Sequence, residues 1–182
     1  MTDDPEQRPV DDAAADATPA DKAPATTRRW LKPLLGVAAV LALVGLRTYV
    51  VEPVRVTSDS MSPTLERGAV VLVQKLERSP ERGDLVTFDS PVDGERNVKR
   101  VVGVGGDVVD IRDAILHVND RAVQEPYVDL ASIDALYYGP VTVPDDTVLV
   151  LGDRRAGSVD SRRFGPLRLD ALTGVVLVRL WG

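Results

Sequence analysis

A run of 13 residues made only of Leu, Val, Ala and Gly, from Leu34 to Leu46, most restricts what this chain can fold into. Such a run is either a helix buried in a protein core or part of a membrane span. On its own it is too short to cross a bilayer, at roughly 1.5 Å per residue. Counted from Trp30 to Val51 the segment reaches about 33 Å, which suffices if Arg47 snorkels to the far interface. Trp30 and Tyr49 stand where interfacial aromatic residues are expected. A cleavable leader fits poorly, because an acidic tail precedes the run and Arg47-Thr48-Tyr49-Val50 offers no small-x-small cleavage site. The reading is an uncleaved single-pass anchor over residues 30–51. Arg28, Arg29 and Lys32 cluster before it, whereas only Arg47 and Arg55 lie close after it. The positive-inside rule then predicts a protein of the cell membrane, with residues 1–29 cytoplasmic and residues 52–182 extracytoplasmic.

The two flanks differ in composition. Residues 1–27 are rich in Asp, Ala and Pro and carry a net charge of −5 out of −6 for the whole chain. They hold too few large apolar side chains to offset the entropy of ordering, so residues 1–29 read as a disordered acidic tail. The rest of the chain is close to neutral and gives no electrostatic argument for binding nucleic acid.

Residues 52–182 read as a mainly β domain. Short Val-, Leu- and Ile-rich runs alternate with turn residues, and no segment keeps a 3.6-residue apolar period over three turns. The candidate strands are 54–57, 69–75, 84–88, 98–104, 108–112, 115–118, 121–124, 141–143, 147–151 and 174–180. Asn119-Asp120 between two of them resembles a hairpin turn. The expectation is an antiparallel arrangement of two coiled or packed sheets.

The residue inventory excludes much chemistry. Cysteine is absent and His117 is the single histidine, which removes disulfides, cysteine nucleophiles, thiolate zinc sites and any two-histidine metal motif. A Ser-His-Asp triad would have to use His117, which abuts a turn. A serine hydroxyl needs a base, and a desolvated lysine is the alternative to histidine. Only four lysines exist, and Lys75 and Lys99 alone lie outside the tail and anchor. Lys99 is flanked by Val98, Val101 and Val102. Lys75 precedes Leu76-Glu77-Arg78, the pattern of an exposed strand end.

Four motifs stand in order along residues 60–165: Ser60-Met61-Ser62-Pro63-Thr64-Leu65; Arg82-Gly83-Asp84-Leu85-Val86-Thr87-Phe88; Val98-Lys99-Arg100-Val101-Val102-Gly103; and Gly152-Asp153 through Ser158 to Asp160-Ser161-Arg162. Together with the preceding apolar run they resemble the bacterial type I signal peptidases, the family of Ser-Lys serine proteases. The resemblance implies that Ser60 is the nucleophile and Lys99 the general base. It implies that Ser58 and the Ser60 backbone N–H form the oxyanion hole. Ser158 would orient the lysine through a hydrogen bond, and Asp153, Asp160 and Arg162 would brace the site. Val54, Val56, Met61, Leu65 and Val98 match positions that line shallow apolar pockets for small side chains. The activity implied is removal of signal peptides from exported preproteins after small-x-small sites, with no cofactor and no metal. The partners implied are those preproteins, the lipid bilayer and, nearby, the protein translocation machinery.

Some positions depart from the family pattern. Asp59 stands where glycine is commonest, and its carboxylate must point outward if Lys99 is to have a low pKa. Gly105 replaces a frequent proline, and Arg154 and Gly157 replace asparagines. Two other readings of the residues stay open at this level: a self-cleaving Ser-Lys repressor-type protease, and an anchored β domain that only binds exported polypeptides.

Overall fold

The computed structural model describes residues 27–75, 79–128, 133 and 137–181, and side chains for these except at 27–31 and 46–49. The acidic tail up to residue 26 lies outside the described residues. The chain divides into two compact units, residues 1–40 and 41–182. Helix α1 (Thr27–Tyr49) runs across the boundary at residue 40. Its described leucines and valines are exposed, Leu34, Leu41 and Leu43 each at 65%. Among the described residues no helix is long and apolar enough to cross a membrane.

The second unit is built from antiparallel strands in two sheets. The first has the order β1 (Val51–Arg55), β2 (Val70–Gln74), β11 (Leu172–Trp181), β3 (Leu85–Asp89), β4 (Arg96–Val104), β9 (Thr147–Leu151) and β10 (Leu167–Arg168). The second has the order β7 (Arg121–Ala122), β6 (Ile115–Val118), β5 (Val108–Arg112) and β8 (Tyr138–Thr142). This is the mainly β, two-sheet domain that the short turn-bounded runs predict. Val51, counted above as the end of the anchor, is the first residue of edge strand β1.

Valine dominates these strands because a β-branched side chain packs well on a pleated surface. Three apolar clusters result. One joins the sheets through Val102, Leu149 and Leu151 of the first and Val109, Ile111 and Leu116 of the second. There Gly103 allows the sheets to meet, since a Cβ on it would lie 2.6 Å from Val109 Cγ2. A second cluster, with Val56, Met61, Leu65, Val71, Val73 and Val98, underlies the Ser60 loop. A third gathers Val86, Phe88, Val101, Val150 and Val175. The β6–β7 turn at Asn119-Asp120 has positive φ at both residues, as a two-residue hairpin turn requires.

Very short elements escape the sequence pattern. Strand β10 has only two residues, paired with Thr147 and Val148. Helix α2 (Ser161–Phe164) is a single turn, capped by the Asp160 carboxylate accepting from the Arg162 N–H. Neither is long enough to show a period.

The topology leaves a gap where the functional side chains converge. Strand β1 is at the sheet edge, and the chain beyond it loops through Ser58–Leu65 before returning as β2. Strand β4 pairs with β3 from Arg96 onward, but with β9 only from Arg100 onward. Residues 96–98 therefore keep one strand edge open.

Candidate active site

The Ser60 loop is held from both ends. Met61 and Leu65 are 1% and 2% exposed and plug into the cluster beneath. The turn closes through Ser62 N donating to the Asp59 carbonyl at 3.0 Å and Leu65 N to the Met61 carbonyl at 2.8 Å. The Ser60 carbonyl accepts from the Arg154 N–H at 3.1 Å, which ties the loop to the segment after β9. Ser58 Oγ lies 3.1 Å from Ser60 Oγ. Asp59 turns outward to Arg67, with both contacts at 3.4 Å.

Lys99 reaches this serine from β4, one residue beyond the open stretch 96–98. Its side chain is 1% exposed and its Nζ stands 2.6 Å from Ser60 Oγ. Burial lowers its pKa from 10.5 to about 8. Asp160 and Asp153 push it back upward, and Arg162 lowers it further. Burial dominates because an ammonium without its hydration shell is disfavoured. Lys75, the other eligible lysine, is exposed and lies 2.5 Å from Glu52. His117 sits in the second sheet with Nδ1 3.0 Å from the Ile115 carbonyl.

Behind the pair lies a network of buried ions. Asp153, 1% exposed, accepts from Arg100 Nε at 2.8 Å and from its terminal nitrogen at 2.6 Å, and from the Thr64 hydroxyl at 2.5 Å. Asp160, fully buried, accepts from Arg162 Nε at 2.9 Å and from the Gly152 N–H at 3.1 Å. Asp153, Asp160 and Arg162 therefore stand together, each close enough to act on Lys99. Gly152 allows their segment to press on the serine loop: a Cβ there would be 2.7 Å from the Ser60 carbonyl oxygen and 2.3 Å from Ser158 Oγ.

Ser158 differs from the expectation. Its Oγ is buried against Gly152 and has no hydrogen-bond partner, so the bond to Lys99 implied by the resemblance is not formed in this arrangement. The amine is turned to Ser60 instead.

Val54, Val56, Met61 and Val98 line one groove together with Ser58, Arg96 and Asn97. Leu65 packs in the cluster beneath the loop with Val56, Met61 and Val98. It lies on a separate cavity of about 420 Å³ with Leu85, Val176 and Arg179. Another cavity of about 420 Å³, lined by Lys75, Pro80, Arg168 and Val175, contains none of these functional groups. Chemistry, not volume, locates the site.

Local sequence reading missed Thr64, Arg100, Glu125, Tyr127 and Arg155. Arg100 looks like an ordinary strand charge until β4 brings it to Asp153, 53 residues away. Arg155 is 2% exposed and bonds Glu125 at 2.6 Å. The only available signal was the density of charge in Gly152–Arg163, more than a solvated turn needs.

An antiparallel two-sheet domain that presents a serine loop at an open strand edge, with a buried lysine amine beside it, has the layout of a serine peptidase. The family described as signal peptidase, peptidase S26, matches residues 27–181, and the chain belongs to that family. It is 38% identical over 155 residues to a probable signal peptidase I-2 of a Synechocystis species, covering 80% of this chain and 70% of that one. It is 37% identical over 144 residues to a signal peptidase I of Bacillus licheniformis, covering 73% and 76%. The crystal structure of a signal peptidase I from Enterococcus faecalis superposes with a TM-score of 0.50 at 32% identity, covering 56% of this chain and 98% of that one.

Proposed function

We propose that the chain removes signal peptides from exported preproteins by cutting after small-x-small sites, with Ser60 as nucleophile and Lys99 as general base. The contact of 2.6 Å between Ser60 Oγ and an amine that is 1% exposed carries this reading. Neutral Lys99 takes the Ser60 proton as Oγ bonds to the scissile carbonyl carbon. The resulting oxyanion is met by the Ser60 N–H and the Ser58 hydroxyl, which turns from Ser60 Oγ to the new charge. The Lys99 ammonium then gives its proton to the leaving amine, the peptide C–N bond breaks, and an acyl-enzyme forms. Lys99 next takes a proton from water as the hydroxyl oxygen bonds to the acyl carbon. Collapse returns the proton to Ser60 Oγ and releases the signal peptide as a free acid.

The groove walled by Val54, Val56, Met61 and Val98 supports selection of small side chains, since valine and methionine leave little depth for large ones. The open edges of β1 and of residues 96–98 suit an extended substrate held by main-chain hydrogen bonds. Residues 30–51 act as the membrane anchor, with 1–29 cytoplasmic and 52–182 outside, next to the translocation machinery that delivers preproteins. The apolar run and the exposed leucines of α1 support this.

Cleavage of a model preprotein by wild type, Ser60→Ala and Lys99→Ala tests the chemistry: only wild type turns over, and an active Ser60→Ala enzyme removes the serine from the mechanism. Ser58→Ala is expected to lose about 10²–10³-fold in turnover if its hydroxyl meets the oxyanion. External protease on spheroplasts tests the topology, digesting residues 52–182 and sparing the tail; the reverse pattern overturns the orientation.

A further inference from the structure

After β7 the chain leaves the second sheet, with Val123 N still bonded to the Leu116 carbonyl at 2.8 Å, and crosses to the loops of the first as Glu125-Pro126-Tyr127. There it meets both halves of the buried network. Glu125 accepts from the Arg155 terminal nitrogen at 2.6 Å, with side chains 8% and 3% exposed. The Tyr127 hydroxyl donates to the same carboxylate at 3.2 Å, and its ring lies 3.8 Å from the Arg100 guanidinium carbon. Burial, and then Glu125, raise the Tyr127 pKa to about 12, so this hydroxyl stays a donor at any workable pH.

Each group the segment touches leads to the reacting pair. Arg155 Nε donates to the Gly152 carbonyl at 3.1 Å, and the Arg162 terminal nitrogen donates to the Arg155 carbonyl at 2.6 Å. The next residue along from Asp153, Arg154, donates its N–H to the Ser60 carbonyl. Arg100 holds Asp153, which accepts from Thr64 in the serine loop. We propose that Glu125 and Tyr127 form a strap of positioning residues that closes the 152–162 segment against the Ser60 loop and keeps water from the Arg100–Asp153 pair. This inference rests on the Ser60–Lys99 reading above.

The strap touches neither Ser60 nor Lys99, so its effect runs through the surroundings of the lysine. The charged groups facing Lys99 are Asp160 and Arg162 at α2, Asp153 after β9, and Asp93 in the β3–β4 turn. Loosening the strap admits water to this cluster, rehydrates the ammonium and moves the lysine pKa from about 8 back toward 10.5.

The full-length chain in detergent, cleaving a model preprotein across pH 6 to 10, provides the test. Tyr127→Ala is expected to lower kcat about tenfold with KM nearly unchanged, and to move the rising pH limb alkaline by about half a unit. Tyr127→Phe keeps the ring over Arg100 and is expected to recover most of that loss. Glu125→Gln preserves shape, weakens the Arg155 bond and is expected to shift the limb in the same direction. A folded Tyr127→Ala enzyme with wild-type kcat and pH limb overturns the strap. So does a loss of activity that only tracks the fraction of unfolded protein, with the limb unmoved. Should Tyr127→Ala fail to fold, an unmoved limb in Glu125→Gln overturns it. Ser60→Ala and Lys99→Arg run beside these variants: activity in either one removes the underlying dyad, whereas their inactivity with unmoved strap variants removes the strap alone.

Discussion

Lys99 concentrates the energetics of the site in one side chain. Its folded pKa, about 8, lies below the ordinary 10.5 because burial disfavours the ammonium. Turnover is therefore expected to rise with pH along a limb centred near 8, as the neutral base becomes available. Lys99→Arg is expected to be inactive throughout that range, since a guanidinium cannot be deprotonated there; a pH–rate profile of both enzymes checks this, and normal turnover by the arginine variant at pH 8 removes the base. The same shift has a stability sign. Between about pH 8 and 10.5 the unfolded chain holds a proton that the folded chain lacks, so stability climbs with pH across that window and the burial penalty is complete below it. Lys99→Met is expected to remove that penalty, on the order of 3 kcal/mol, and to raise Tm at pH 7 by several degrees while abolishing turnover. Calorimetry at pH 7 and pH 10 distinguishes this, because the gain must shrink at the higher pH. The Asp59 carboxylate is turned outward toward Arg67. It is not among the largest influences on Lys99.

The segment between β9 and α2 decides whether the reactive side chains meet. Its first residue, Gly152, donates to Asp160, accepts from Arg155 and lies against both Ser60 and Ser158. Gly152→Ala would place a Cβ 2.7 Å from the Ser60 carbonyl oxygen, which is backbone and cannot swing aside. The serine loop must then retreat from β9. A loss of turnover of about a hundredfold is expected, since a displacement near 1 Å at a reacting centre has that scale. Steady-state kinetics with a parallel melt checks this; a Gly152→Ala enzyme with normal kcat would show that the close approach is incidental. The edge strands are a different kind of element. Val54 and Val98 serve core and groove at once, so their truncation confounds packing with binding.

Across the whole molecule, the second sheet stands apart from the chemistry but is fastened to the first. Asp107, after β4, accepts from Arg82 at 2.7 and 2.5 Å, from the Val104 N–H at 2.9 Å and from Asn119 at 3.0 Å. Burial raises the Asp107 pKa, but the Arg82 bonds outweigh it and the carboxyl is held below its ordinary value. The Arg82 motif is thereby tied to the junction of the sheets rather than to the serine. His117 belongs to this outlying sheet, paired across from Asp110. His117→Ala is expected to keep most of its turnover, whereas a loss beyond about a hundredfold, the scale of a general base, would return a histidine mechanism to consideration. Preprotein cleavage by the purified variant measures it.

Elimination within the sequence already pointed to Lys99 as the proposed base, because side-chain chemistry is a property of the residue: no cysteine, one histidine beside a turn, and two eligible lysines, of which one sits among valines. Strand positions were legible for a similar reason. Branched side chains alternate at short range, and Asn119-Asp120 carries its own preference for positive φ. Which charges meet was not legible. Arg100 finds Asp153 at a separation of 53 residues and Arg155 finds Glu125 at 30, and no local pattern encodes either distance. Nor could the outward turn of Asp59 or the unbonded hydroxyl of Ser158 be read before folding. The sequence by itself narrowed which groups could act as a base and marked where most of the strands run. Only the tertiary structure decided that Ser60 and Lys99, 39 residues apart, come to 2.6 Å and that the amine is dry. Desolvation is set by surfaces that distant strands bring together, so the lowered lysine pKa exists only once the sheet has closed around it.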